Sequence, residues 1–140
     1  TIFLDEVTET SAALQVALLR VIQDGEVVPI GADRARPINV RIMSATNRDP
    51  EQAMNEGVLR RDLYYRLSGA VLVLPPLRAR RDDIALLARH FCAESGRDLD
   101  LDAAALAVLE GYDWPGNLRE LHAVIRSAAM LATEARIGVE

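Results

Sequence analysis

Thr1-Ile2-Phe3-Leu4-Asp5-Glu6 is a short apolar run that ends in two adjacent carboxylates. Its apolar and β-branched residues predict a buried strand, and a carboxylate pair at a strand's carboxyl end lies where α/β sheets bind ligands. The two acids can divide the labour of nucleotide hydrolysis, with Asp5 holding a magnesium ion through water and Glu6 orienting the attacking water. The alternative is a pair that is simply exposed, with Glu6 opening a loop. A phosphate site also needs a glycine-rich loop with its lysine, and the chain contains no lysine. The run therefore reads as the second nucleotide motif of an ATPase domain whose first motif precedes Thr1.

Composition narrows the possibilities. A chain of 140 residues and 15.4 kDa, half of it hydrophobic and 26% charged, can build one domain-sized core, or a small unit plus part of another. No apolar stretch approaches the roughly 18 residues of a membrane span, and there is no charged-then-apolar leader, so a soluble, cytoplasmic chain without a membrane partner is expected. The net charge of −5 argues against DNA binding by this segment's own electrostatics. Cys92 is the single cysteine and stands at no recognisable metal spacing from His90 or His122, which leaves it as a small apolar filler on a helix.

Outward from the opening run, Thr10 or Ser11 can cap a helix carrying Leu14, Ala17, Leu18, Val21 and Ile22 on one face, ended by Gly25. Glu26 to Ile30, a turn around Gly31-Ala32-Asp33 and a return through Pro37-Ile38 predict a hairpin. Val40 to Ala45 reads as a second buried strand, and Asp49-Pro50-Glu51-Gln52 as a strong helix start. A short helix over Arg60 to Leu67 and a third apolar run, Ala70 to Leu74, lead to Pro75-Pro76. The prolines and the basic stretch after them mark a boundary. Beyond it the periodicity is helical: Ile84, Leu87, Ala88 and Phe91 share a face, Asp102 can cap a helix carrying Leu106 and Leu109, and Asn117 with Glu120 can cap a last helix with Leu118, Leu121, Ile125 and Ala128 inside.

Three further clusters carry possible chemistry. Thr46-Asn47 follows the second strand, which in a parallel sheet is the same rim as Asp5. An amide there can bond a γ-phosphate oxygen or the lytic water without adding charge, or it can merely stabilise a strand-to-helix turn. Arg60, Arg61 and Arg66 crowd one short segment with Asp62, Tyr64 and Tyr65. An arginine there can stabilise charge developing on a transferred phosphoryl group; for Arg61 a solvated basic face is the preferred reading. In Asp113-Trp114-Pro115-Gly116-Asn117-Leu118-Arg119-Glu120 a tight turn meets a helix start from which Arg119 projects, as a structural corner or as a ligand-facing arginine.

In order and spacing these blocks resemble the central AAA+ ATPase domain of the bacterial sigma-54-dependent transcriptional activators. The resemblance rests on Phe3-Leu4-Asp5-Glu6, Leu18 through Glu26, Arg41-Ile42 through Asp49, Arg60 with Asp62-Leu63-Tyr64-Tyr65-Arg66-Leu67, Leu74 through Arg78, and Trp114-Pro115-Gly116-Asn117-Leu118-Arg119-Glu120-Leu121. It implies an α/β fold: part of an AAA+ (P-loop NTPase) three-layer sandwich over residues 1–76, lacking its first strand, then a small all-helical lid over residues 77–140. It further implies ATP and Mg2+ as cofactors, with Asp5 and Glu6 as the Walker B pair and Asp5 on magnesium. Thr46 and Asn47 take the sensor I position, Arg60 and Arg66 the fingers that reach a neighbouring subunit's nucleotide, and Arg119 sensor II. In that family a ring, usually a hexamer, hydrolyses ATP to remodel RNA polymerase bound to sigma-54.

This chain departs from the family at Val7-Thr8 (usually Ile-Gly), Leu59 (usually Phe) and Ser68-Gly69 (commonly Asn-Val). The Walker A loop and the loop that touches sigma-54 would precede Thr1, and a DNA-binding module would follow Glu140. A segment without the phosphate loop is expected to be inactive alone. Lacking the first strand, which lies between the second strand and the run at 70–74, it is also expected to expose sheet edges and apolar surface. The rival expectation is a non-catalytic interaction module that assembles with other AAA+ subunits.

Overall fold

The computed structural model describes residues 1–97, 99–133 and 135–138. The chain divides into two compact units, residues 1–72 and 73–140. In the first, β1 (Ile2–Leu4) pairs in parallel with β4 (Ile42–Ser44), with Phe3 opposite Met43. Between them in sequence come a 3-10 turn (Val7–Glu9), helix α1 (Ala12–Asp24) and the antiparallel pair β2 (Glu26–Val27) and β3 (Arg36–Pro37). Helices α2 (Pro50–Asn55) and α3 (Arg61–Leu67) complete the unit. Its core is Val7, Ala53, Leu59 and Leu63, with Leu18, Leu19, Ile22 and Leu67 packed around them.

Local chemistry sets these boundaries. Ser11, rather than Thr10, caps α1: its hydroxyl accepts the Leu14 N–H at 3.3 Å. Gly25 closes the helix in the left-handed region at φ 68°, which a residue without Cβ adopts freely. Asp49 caps α2 by accepting the Gln52 N–H at 2.8 Å, and Pro50 occupies the first turn, where its missing N–H costs nothing.

The second unit is a helical bundle of α4 (Asp82–Glu94), α5 (Ala103–Gly111) and α6 (Asn117–Leu131) behind a 3-10 turn at Leu77–Ala79. Leu77, Ile84, Ala88, Cys92, Leu109, Trp114, Leu121 and Ile125 form its core. Cys92 is the expected filler; burial pushes its thiol up, and the charge of Asp100 adds to that. Trp114 is buried, and its indole N–H donates to the Leu109 carbonyl at 2.7 Å, so the ring fills the core without an orphaned donor. Trp114→Ala is expected to destabilise this unit by about 3–5 kcal/mol. In denaturant titration that loss appears as a lower midpoint at constant slope.

Four sequence expectations need correction. First, β1 and β4 form and pair, but Ile2, Phe3 and Met43 are exposed rather than buried, because parallel strands need cover on both faces and nothing among the described residues supplies it. Second, Ala70 to Leu74 is not a strand: the segment is irregular, with Leu72 90% and Leu74 86% exposed, and no strand among the described residues lies beside it. Third, Asn117 does not cap α6. Gly116 occupies that position and donates its N–H to the Glu120 carboxylate at 2.8 Å, while the Asn117 side-chain oxygen accepts the Leu77 N–H at 2.8 Å. Fourth, the inner face of α6 uses Ala129 rather than Ala128. A short parallel pair, β5 (Asp100–Leu101) with β6 (Arg136–Ile137), was not foreseen, since two-residue strands leave no periodicity to read.

Candidate functional site

Parallel pairing of β1 and β4 brings both carboxyl ends to one rim. Beyond the strands the ladder continues irregularly, the Ala45 N–H donating to Leu4 O at 2.9 Å and the Val7 N–H to Ala45 O at 3.0 Å. Asp5 and Glu6 thus face Thr46 and Asn47 although some 40 residues separate them in sequence. Asp5 is exposed, and one of its oxygens accepts the Glu6 N–H at 3.1 Å. Glu6 is half-buried, with its backbone in the left-handed region at φ 49°, ψ 53°. That turn swings its carboxylate across the rim, where Oε2 accepts the Asn47 N–H at 3.2 Å.

Thr46 and Asn47 have different surroundings. The Thr46 hydroxyl shares a 2.8 Å hydrogen bond with the hydroxyl of Thr8, itself 2% exposed, and accepts the Arg48 N–H at 3.1 Å. The Asn47 side chain is exposed and makes no hydrogen bond among the described residues. In the sequence Val7-Thr8 is visible only as a departure from the family's Ile-Gly. The structure gives Thr8 a polar role, as the tie between the turn after Glu6 and the turn after β4.

The three arginines around α3 are also distinct. Arg60 precedes the helix and forks onto Asp62, Nε to Oδ1 at 3.0 Å and Nη2 to Oδ2 at 2.7 Å. The hydrogen bond and charge of Asp62 raise the Arg60 guanidinium above its ordinary value, and the bond from Arg60 holds the Asp62 carboxyl below the usual range. Arg61 donates to the Asn55 side-chain oxygen at 2.9 Å. Arg66 is exposed, has no hydrogen-bond or ion-pair partner among the described residues, and lines a cleft of about 260 Å³ with Val21, Ile22, Gly25, Ile38, Val40 and Ile42. In the helical unit, Arg119 projects into solvent from the first turn of α6, and no acid pairs with it among the described residues.

A family model described as the sigma-54 interaction domain matches residues 1–73, and one described as the AAA+ ATPase lid domain matches residues 78–140. The chain belongs to the sigma-54 interaction domain family. Its fold is accordingly part of an AAA+ α/β domain followed by a helical lid, as the sequence implied. Over 94% of its length it is 52% identical to the anaerobic nitric oxide reductase transcription regulator NorR of Serratia proteamaculans (strain 568) and 45% identical to the regulatory protein AtoC of Escherichia coli (strain K12). It covers 27% and 30% of those proteins respectively. NtrX from Brucella abortus has a solved structure that superposes over 92% of the chain with a TM-score of 0.87 at 34% identity, the match covering 31% of NtrX. NtrX has also been solved in complex with ATP, and that structure superposes with a TM-score of 0.85. The chain therefore spans less than a third of the length of each of these relatives.

Magnesium is compatible with this rim. Among the described residues no group of three His, Cys, Asp or Glu side chains could hold a metal by itself. Asp5 offers a carboxylate in the open, which suits an ion that keeps several waters and takes its other oxygens from substrate phosphates. Among the described residues no helix is long and apolar enough to cross a membrane.

Proposed function

We propose that these residues supply the Walker B, sensor I and arginine-finger portion of an ATP-hydrolysing sigma-54 activator, residues 1–76, together with its sensor II lid, residues 77–140. The observation that supports the reading is the bond from the Asn47 backbone N–H to the Glu6 carboxylate, which holds Glu6 beside the turn that carries Asn47. Asp5 would hold magnesium through water, and the ion would supply neutralisation of phosphate charge. Glu6 takes the proton of the attacking water, and the Asn47 amide orients that water or a γ-phosphate oxygen. Thr46 belongs to the same nucleotide-facing turn.

Arg60 and Arg66 are exposed, which suits fingers that act on the nucleotide of a neighbouring subunit in a ring, most simply a hexamer. Arg119, also exposed, contacts the nucleotide from the lid. With no lysine of its own, this stretch does not hydrolyse ATP alone; the full protein does so in the cytoplasm, engages sigma-54 polymerase and contacts DNA through other segments.

The test is promoter melting by the full-length protein, read by reactivity of unpaired thymines. ATP-dependent melting with sigma-54 polymerase, and none with a non-hydrolysable analogue, is the expected result. Equal melting with the analogue, or none with ATP, overturns the proposal.

A further inference from the structure

Gln15 is a polar side chain in an apolar setting, on the inner face of α1 and only 1% exposed. Its amide nitrogen donates to the Thr10 carbonyl at 3.0 Å and to the Val58 carbonyl at 2.8 Å, and its amide oxygen accepts the Arg60 N–H at 2.9 Å. Both donors are used, so the burial carries no unpaired N–H. A leucine or methionine would fill the same space without any amide to satisfy. What the amide adds is a hold on the loop between α2 and α3.

That loop is where Arg60 sits. Arg60 precedes the first helical residue of α3, and its N–H has no partner within the helix. Gln15 supplies the acceptor for that N–H, while the Arg60 side chain itself caps no N–H of the first turn. Because Arg66 follows on the same helix, one buried amide orients the segment carrying both arginines.

We infer that Gln15 is a positioning residue for catalysis: from the core of one subunit it sets the backbone at Arg60, and so the reach of the fingers toward the nucleotide of the next. This rests on the reading of Arg60 and Arg66 as fingers acting between subunits. Gln15→Met keeps the length of the side chain and removes all three bonds. In the full-length protein it is expected to bind ATP as the parent does and to lose about 10²-fold in turnover, the scale of an ångström's misplacement.

Mixing subunits separates positioning from simple damage. A Gln15→Met subunit keeps its own Walker B pair, and a Glu6→Gln subunit keeps its fingers. In an equal mixture roughly a quarter of ring interfaces would combine the intact halves, so two inactive proteins should regain hydrolysis on mixing. Turnover at the parent's level in Gln15→Met overturns the inference. So does failure of its mixture to recover while an Arg60→Ala and Glu6→Gln mixture does, since Gln15 would then serve the fold alone. Silence in the Arg60→Ala mixture as well overturns the finger reading and the inference with it. Should Gln15→Met not fold, Gln15→Leu, which also fills the apolar site and removes the acceptor for the Arg60 N–H, goes through the same mixtures with the same outcomes.

Discussion

Glu6→Gln in the full-length protein is expected to bind ATP with unchanged affinity and to lose turnover by about 10²- to 10⁴-fold, the contribution of a positioned general base. The substitution is a clean one because of what Glu6 touches. Among the described residues its carboxylate accepts one hydrogen bond from the opposite turn, that of the Asn47 N–H, and a glutamine side-chain oxygen accepts that bond equally well. The rim should keep its shape while the proton acceptor disappears. Binding by calorimetry and phosphate release under saturating ATP check the two halves separately, and full hydrolysis refutes the role given to Glu6.

Arg66→Ala is expected to cost more, about 10³- to 10⁵-fold in turnover, with nucleotide binding intact. The structural reason for expecting so selective a loss is that the Arg66 guanidinium holds no other group among the described residues. It is exposed and has no partner among the described residues, so its removal orphans no buried group. The change in stability should stay within about 0.5 kcal/mol. Arg60 offers a less clean experiment, because its guanidinium forks onto Asp62 and its truncation leaves that acid alone at the start of α3. An Arg66→Ala protein that stays folded and hydrolyses ATP normally would remove the finger role.

Much of this arrangement was legible from residues with strong local preferences. Ser11, Gly25, Asp49-Pro50 and Asp102 each mark a helix end where the structure has one, since caps and breakers act through their own backbone chemistry. The rim could be anticipated too: two apolar runs, each followed by polar residues, lie on the same side if their strands pair in parallel.

What could not be read depends on partners remote in sequence. Asn117 looks like a cap and instead spends its oxygen on Leu77, 40 residues away. Ala70 to Leu74 has a strand's composition, but a strand exists only where another lies alongside it. Gln15 sits among helix formers as one more polar residue, and nothing in the sequence shows that its amide faces inward toward Val58 and Arg60.

The left-handed backbone at Glu6 sets chemistry against conformational preference. At φ 49° an L-residue other than asparagine, aspartate or glycine is held against its own sterics, at about 1–2 kcal/mol, and the surrounding fold has to impose it. Glycine or asparagine would relax the turn and make the protein more stable, and would also delete the carboxylate. A lineage released from the need to hydrolyse nucleotide would therefore find its easiest gains in stability at this position. On the role proposed for Glu6, glutamate at this position gives up some stability to place a carboxylate at the rim.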